Sequence, residues 1–151
     1  MTQVRRNKRK RLPDWEQRLF NFLNDSQRKE LVWGDFDCVV GLANGAVEAQ
    51  TGVDLAKPFK GKYKTQNAAL KFLARQGYDR NSLAEALVKL MDEFLQRAPK
   101  GNRHRGNIVL LETELGPAFS VRVGNEAVAL ASGGGTRTFK VPKGSLEWVV
   151  T

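Results

Sequence analysis

With one cysteine and one histidine in 151 residues, the chain has little material for thiol or imidazole chemistry. A single thiol, Cys38, forms no disulfide within the chain, and nothing argues for an oxidising compartment. No run approaches the roughly 20 apolar residues of a membrane span. The early basic residues are followed directly by Leu12, Pro13, Asp14, Trp15 and Glu16, not by the apolar stretch of a signal peptide. Neither an export signal nor a membrane span is therefore expected. Internal repeats are missing too, and no residue set reads as a metal site. Gly133, Gly134 and Gly135 form a turn with no helix behind them, which argues against a phosphate cradle. No metal or cofactor is expected.

Acidic residues are absent from the first twelve positions, where Arg5, Arg6, Lys8, Arg9, Lys10 and Arg11 supply six of the charges behind the net +9. Such a segment has almost nothing apolar to bury and repels itself, so residues 1–12 read as a solvated, flexible basic arm. Its charges suit either phosphates or an acidic protein neighbour, and charge alone names no partner. Residues 13–151 read as one domain, long enough to bury about two thirds of the surface of its unfolded chain.

Within that domain the first half has helical periodicity. Trp15, Leu19, Phe22 and Leu23 share one face of a helix opened by Pro13 and Asp14 and closed by Asn24, Asp25 and Ser26. Residues 38–50 form a helix apolar on most sides, with Gly41, Gly45 and Ala49 as a stripe of small residues. Glycine costs a helix about 1 kcal/mol relative to alanine, so the stripe predicts close approach of another element, as for a central helix packed on a sheet. A lysine- and glycine-rich loop carrying Phe59 and Tyr63 comes next. Thr65 caps the third helix, which stops at Gly77, and Ser82 with Glu85 has capping-box spacing ahead of the clearest amphipathic helix. After Pro99 the pattern turns short and β-branched, predicting strands at 108–112, 118–123, 127–131, 137–141 and 146–150, with Gly124 and Asn125 forming a type II′ hairpin turn. Helices first and an antiparallel meander last is the α+β arrangement, with helices packed on one side of the sheet.

Cys38 stands behind Asp37 at the start of the central helix. There the helix dipole and free N–H groups favour a thiolate, although a lone cysteine also serves as a small buried hydrophobe. A cysteine hydrolase needs a base within hydrogen-bond reach. The one imidazole, His104, lies in the basic loop 100–106, where a solvated role is the simpler reading; it would serve Cys38 only if that loop folded back over the helix start. Asp35, Asp37 and Glu112 read as capping, pairing or solvent-facing carboxylates. Phe59 and Tyr63 are candidate recognition aromatics because of their loop positions, while Trp33 and Phe36 read as core.

The segment Trp33-Gly34-Asp35-Phe36-Asp37-Cys38, then Thr51-Gly52-Val53-Asp54, then Phe59, Gly61 and Tyr63, then Gly106-Asn107-Ile108-Val109, and finally Leu146-Glu147-Trp148, occur in an order that resembles NlpC-type cell-wall peptidases of the papain-like fold. More specifically, the chain is similar over about residues 12–150 to small phage and prophage proteins of that superfamily encoded among tail genes. The resemblance implies N-terminal helices packed on a C-terminal antiparallel sheet of about five strands. It places Cys38 at the nucleophile position, but the family's Asp-Cys-Ser-Gly is here Asp37-Cys38-Val39-Val40, and its Gly-Asp is Gly106-Asn107. Where active members read His-Val-Gly-Ile-Tyr-Leu-Gly, this chain has Ala118-Phe119-Ser120-Val121-Arg122-Val123-Gly124, so Ala118 takes the place of the catalytic histidine.

A resemblance that keeps the thiol and loses the imidazole implies a pseudoenzyme. It would be a tail-tip or tail-assembly component, located in the virion after assembly in the host cytoplasm, with other tail proteins as partners. Two alternatives stay open. One is a cysteine amidase or peptidase acting on peptidoglycan through Cys38, and the other is a nucleic-acid-binding module using the basic arm.

Overall fold

The computed structural model describes residues 10–78 and 82–150; Arg5, Arg6, Lys8 and Arg9 of the expected arm lie outside them. Four helices precede a six-stranded antiparallel sheet in an α+β arrangement. The first helix, α1, is Trp15–Ser26. The central helix starts as a π-helix, Cys38–Ala43, and continues without interruption into α2, Asn44–Thr51. Gly52 at φ 78° stops it in the left-handed conformation that costs glycine little. Two further helices, α3 (Gln66–Arg75) and α4 (Leu83–Phe94), start where the sequence predicts. Thr65 accepts from the Ala68 N–H at 3.1 Å and Ser82 from the Glu85 N–H at 3.1 Å.

The strands are β1 (Gln96–Arg97), β2 (Ile108–Thr113), β3 (Gly116–Arg122), β4 (Glu126–Leu130), β5 (Thr136–Lys140) and β6 (Glu147–Val149), in the order β1-β6-β2-β3-β4-β5. The sheet is open, with β1 and β5 at its edges. Five strands obey the periodicity; β1 does not, because two exposed polar residues paired with Val149 and Trp148 leave no apolar signal. The β3–β4 hairpin turns at Gly124, φ 114°, and Asn125 has negative φ, which is the II′ pattern.

Register explains the two faces. Ile108 pairs with Val121 and Leu110 with Phe119, and these side chains join Leu130 and Trp148 in the core beneath the helices. Their alternates, Val109 and Leu111, form a second cluster with Ala127, Ala129, Phe139 and Val141. That cluster contains only residues of the sheet and its β5 exit, so the sheet coils far enough to bury its own outer face.

The small-residue stripe has a different purpose from the one its spacing suggests. A Cβ on Gly41 would lie 2.6 Å from the Phe36 Cα, and one on Gly45 would lie 2.3 Å from the Phe22 ring of α1. Ala49 gives its carbonyl to Arg18 of α1. The stripe therefore admits α1 and the preceding turn, not the sheet.

The arm also ends earlier than its charge pattern predicts. Arg11 donates through Nε to the Gln50 Oε1 at 2.8 Å and through Nη2 to the Arg105 carbonyl, and its guanidinium stacks 3.8 Å from the centre of the Trp15 ring. The Leu12 N–H donates to the Gln50 carbonyl at 2.7 Å. Arg11 and Leu12 thus belong to the folded body, because a buried glutamine at the end of α2 offers them partners that a charge count does not reveal.

Candidate functional site at the head of the central helix

Gly34, at φ 81°, turns the chain into the central helix; a Cβ there would meet the Tyr63 carbonyl at 2.2 Å, so only glycine fits. The turn aims Asp37 inward, where it is 2% exposed. Its Oδ1 accepts from the N–H groups of Val39 (3.0 Å) and Val40 (2.7 Å), and its Oδ2 accepts from the Gly34 N–H (3.0 Å) and the Tyr63 hydroxyl (2.9 Å). Four donors satisfy the buried carboxylate. Its carbonyl accepts from both Gly41 (3.1 Å) and Leu42 (3.0 Å), which sets the wide π-helical first turn.

This arrangement reverses the expected effect of position on Cys38. The helix N-terminus would favour a thiolate, but Asp37 has already taken its free N–H groups. Burial, with the Asp37 charge second, pushes the thiol up to about 12, against weaker opposing hydrogen bonds from the backbone of Phe119 and of Cys38 itself. The sulfur is half-buried and protonated at neutral pH.

Cys38 opens on a cavity of about 50 Å³ walled by Leu31, Trp33, Phe59, Leu87, Pro117 and Ala118 among others. That space is no larger than a water molecule or two and has no room for a peptide. Ala118 at the start of β3 shares the cavity with Cys38, so the two residues at the nucleophile and histidine positions of the resemblance are neighbours in space. His104 is not near them. It is exposed, and two residues beyond it Gly106 accepts from the Gln50 side chain at 2.9 Å, at the opposite end of the central helix. Six π-helical and eight α-helical residues separate the two ends, roughly 15–20 Å at about 1.5 Å per residue. The loop does not fold back over the helix start, because Gln50 and Arg11 pin it at the other end.

Phe59 and Tyr63 are corrected as well. Both are buried, at 6% and 7% exposure. Phe59 packs edge-on against Phe72 at 5.6 Å and tilted against Phe94 at 5.9 Å, and Tyr63 lies 5.8 Å from Phe72. The loop is held in place by Asn44, which binds Asp54 and the N–H groups of Leu55 and Ala56. Burial, with Asp37 second, also raises the Tyr63 phenol. A loop position suggested recognition, but the aromatics cover the apolar faces of α3 and α4. Lys10 is exposed, whereas Arg11 is half-buried and docked as described.

The reading of residues one at a time misses a second polar centre. Arg122, 3% exposed on β3, forms a two-pronged ion pair with Glu147 of β6 at 2.8 and 2.9 Å, and Asn107 donates to the same carboxylate at 2.7 Å. A charged residue closing the otherwise apolar run of β3 was the available signal. The pair staples β3 to β6 across β2 and leaves no free charge for chemistry.

The fold and site define an α+β domain whose central helix presents a protonated cysteine to the start of an antiparallel strand with no imidazole beside it. Residues 10–150 match the family described as Domain of unknown function (DUF6950), and the chain belongs to that family. No curated protein matches it. Among the described residues no helix is long and apolar enough to cross a membrane.

Proposed function

We propose that the chain is a structural component of a phage or prophage tail, built on a catalytically degenerate papain-like domain of NlpC type. It docks through its surfaces and turns over no substrate. One observation carries the catalytic half of this reading: the cysteine at the head of the central helix shares its cavity with Ala118, while the one imidazole of the chain lies at the helix's other end. General-base catalysis contributes typically 10²–10⁴-fold, and a thiol held near 12 compounds that loss. The tail assignment rests on the order of the sequence motifs.

Two measurements test the halves separately. Purified protein incubated with peptidoglycan fragments is expected to release no stem peptide above buffer, and Cys38→Ala is expected to behave identically. Release by the wild type that the substitution abolishes would establish the amidase instead. Mass spectrometry of purified particles from a phage encoding the chain is expected to find it in the tail; its absence there would remove the virion assignment.

A further inference from the structure

The sheet ends at β5 in an edge with backbone groups to spare. Ala131 donates its N–H to the Gly135 carbonyl at 2.9 Å, so the alternation of an antiparallel ladder turns the backbone of Arg137 and Phe139 toward β4 and that of Thr136, Thr138 and Lys140 outward. The Thr136 N–H is taken by the Gln27 carbonyl, at the end of α1, at 3.3 Å. Among the described residues no backbone group pairs with the outward N–H groups of Thr138 and Lys140. Such an edge is a template for another strand.

A groove of about 710 Å³ runs beside this edge, between α1 and the β4–β5 end of the sheet. Phe20, Leu23 and Gln27 form one wall at helical spacing, and Val123, Val128 and Thr138 form the other. Phe20 is 63% exposed, more than any other large apolar side chain described. Two arginines, Arg28 and Arg137, border the groove, and no acid lines it. Both arginines are exposed, and among the described residues no carboxylate forms an ion pair with either.

We propose that β5 and this groove accept an extended acidic segment of a partner protein as a seventh strand, its apolar side chains in the groove and its alternate, acidic ones on the face where Arg137 stands beside Phe139. In recognition of this kind main-chain hydrogen bonds supply affinity, and pockets for alternate side chains supply specificity. Charge argues against the other occupants. A second copy paired edge to edge would bring the Arg137 and Lys140 of both copies together, and the chain's own residues 1–9 carry four cations and no acid. The inference does not rest on the tail reading.

Fluorescence anisotropy at low salt, with a labelled peptide of about ten residues alternating valine and glutamate, tests it against the same peptide with lysine for glutamate. The glutamate peptide is expected to bind saturably and the lysine peptide not. Thr138→Pro removes one outward N–H at an edge position where proline is tolerated, so its circular dichroism should match the wild type and its binding should weaken about tenfold. Arg137→Glu changes an exposed side chain and keeps the test decisive should the proline variant not fold. It is expected to weaken the glutamate peptide about three- to tenfold and to strengthen the lysine peptide. No saturable binding, equal binding of the two peptides, or binding unchanged in either folded variant would overturn the proposal. Sedimentation showing a dimer that Thr138→Pro dissolves would overturn it in favour of a second copy.

Discussion

Burial and a neighbouring carboxylate decide the chemistry of Cys38, and both act against the thiolate. A thiol raised from 9.0 to about 12 has about a thousandfold less thiolate at neutral pH, since each unit is tenfold. Alkylation by iodoacetamide should be correspondingly slow at pH 7.5 and should still be accelerating at pH 10. Asp37→Asn separates the two causes. It removes a negative charge, so the surviving folded protein should alkylate faster than the wild type at the same pH. It also places an amide N–H₂ where Oδ2 accepts from Gly34 and Tyr63, leaving a buried donor unpaired at a cost of about 2 kcal/mol. Urea denaturation and alkylation rates, measured together, should move in these opposite senses; a variant that alkylates no faster would show that Asp37 does not hold the thiol protonated. Of this, the sequence displayed the cysteine, its adjacent aspartate and the helix start. Capping was one of the readings the sequence offered for Asp37; that Gly34 and Tyr63 would close around the same carboxylate and bury it beside the thiol depended on the fold.

Among elements, the central helix sets most of the geometry, because it meets α1, the Phe36 turn and the sheet on different sides. Helix boundaries and caps were legible, since Thr65, Ser82 and Gly52 act through neighbours a few residues away. The purpose of the glycine stripe was not, because spacing reports only that something approaches. Gly41→Ala tests the structural assignment: helix propensity favours the change by about 1 kcal/mol, but the new Cβ would lie 2.6 Å from the Phe36 Cα, and backbone cannot yield as a side chain does. Overpacking of this kind costs about 1–3 kcal/mol, so the urea midpoint should fall. A rise would place the Phe36 turn elsewhere. Phe59 and Tyr63 obey the same logic in reverse: a loop composition suggested exposure, but the uncovered faces of α3 and α4 needed apolar cover and took it from the loop.

At the scale of the whole molecule, three weak acids, two buried and one half-buried, share one direction. Cys38, Tyr63 and Tyr78 are all raised, the last by burial and its hydrogen bond to Glu93. A group with its folded pKa above its unfolded value keeps its proton in the folded state while the unfolded chain releases it. Stability from such groups is complete below the unfolded pKa and declines above it. The melting temperature should therefore be flat in these groups up to about pH 8, fall from about pH 9 as the unfolded thiol ionises, and fall more steeply above about pH 10 as unfolded tyrosines ionise in turn. Cys38→Ala should remove the first part of the decline; an unchanged profile would contradict the burial of the sulfur.

By itself the sequence determined the α+β class, four helices, five of six strands, the hairpin turn and the central position of Cys38. Each of these is written in periodicity or in residues that act within one turn. Only the tertiary structure decided that His104 stands at the wrong end of the helix and that Arg11 leaves the arm to dock on Gln50. These outcomes depend on which distant groups satisfy each other's hydrogen bonds and cover each other's apolar faces, and that information exists only once the chain has closed on itself.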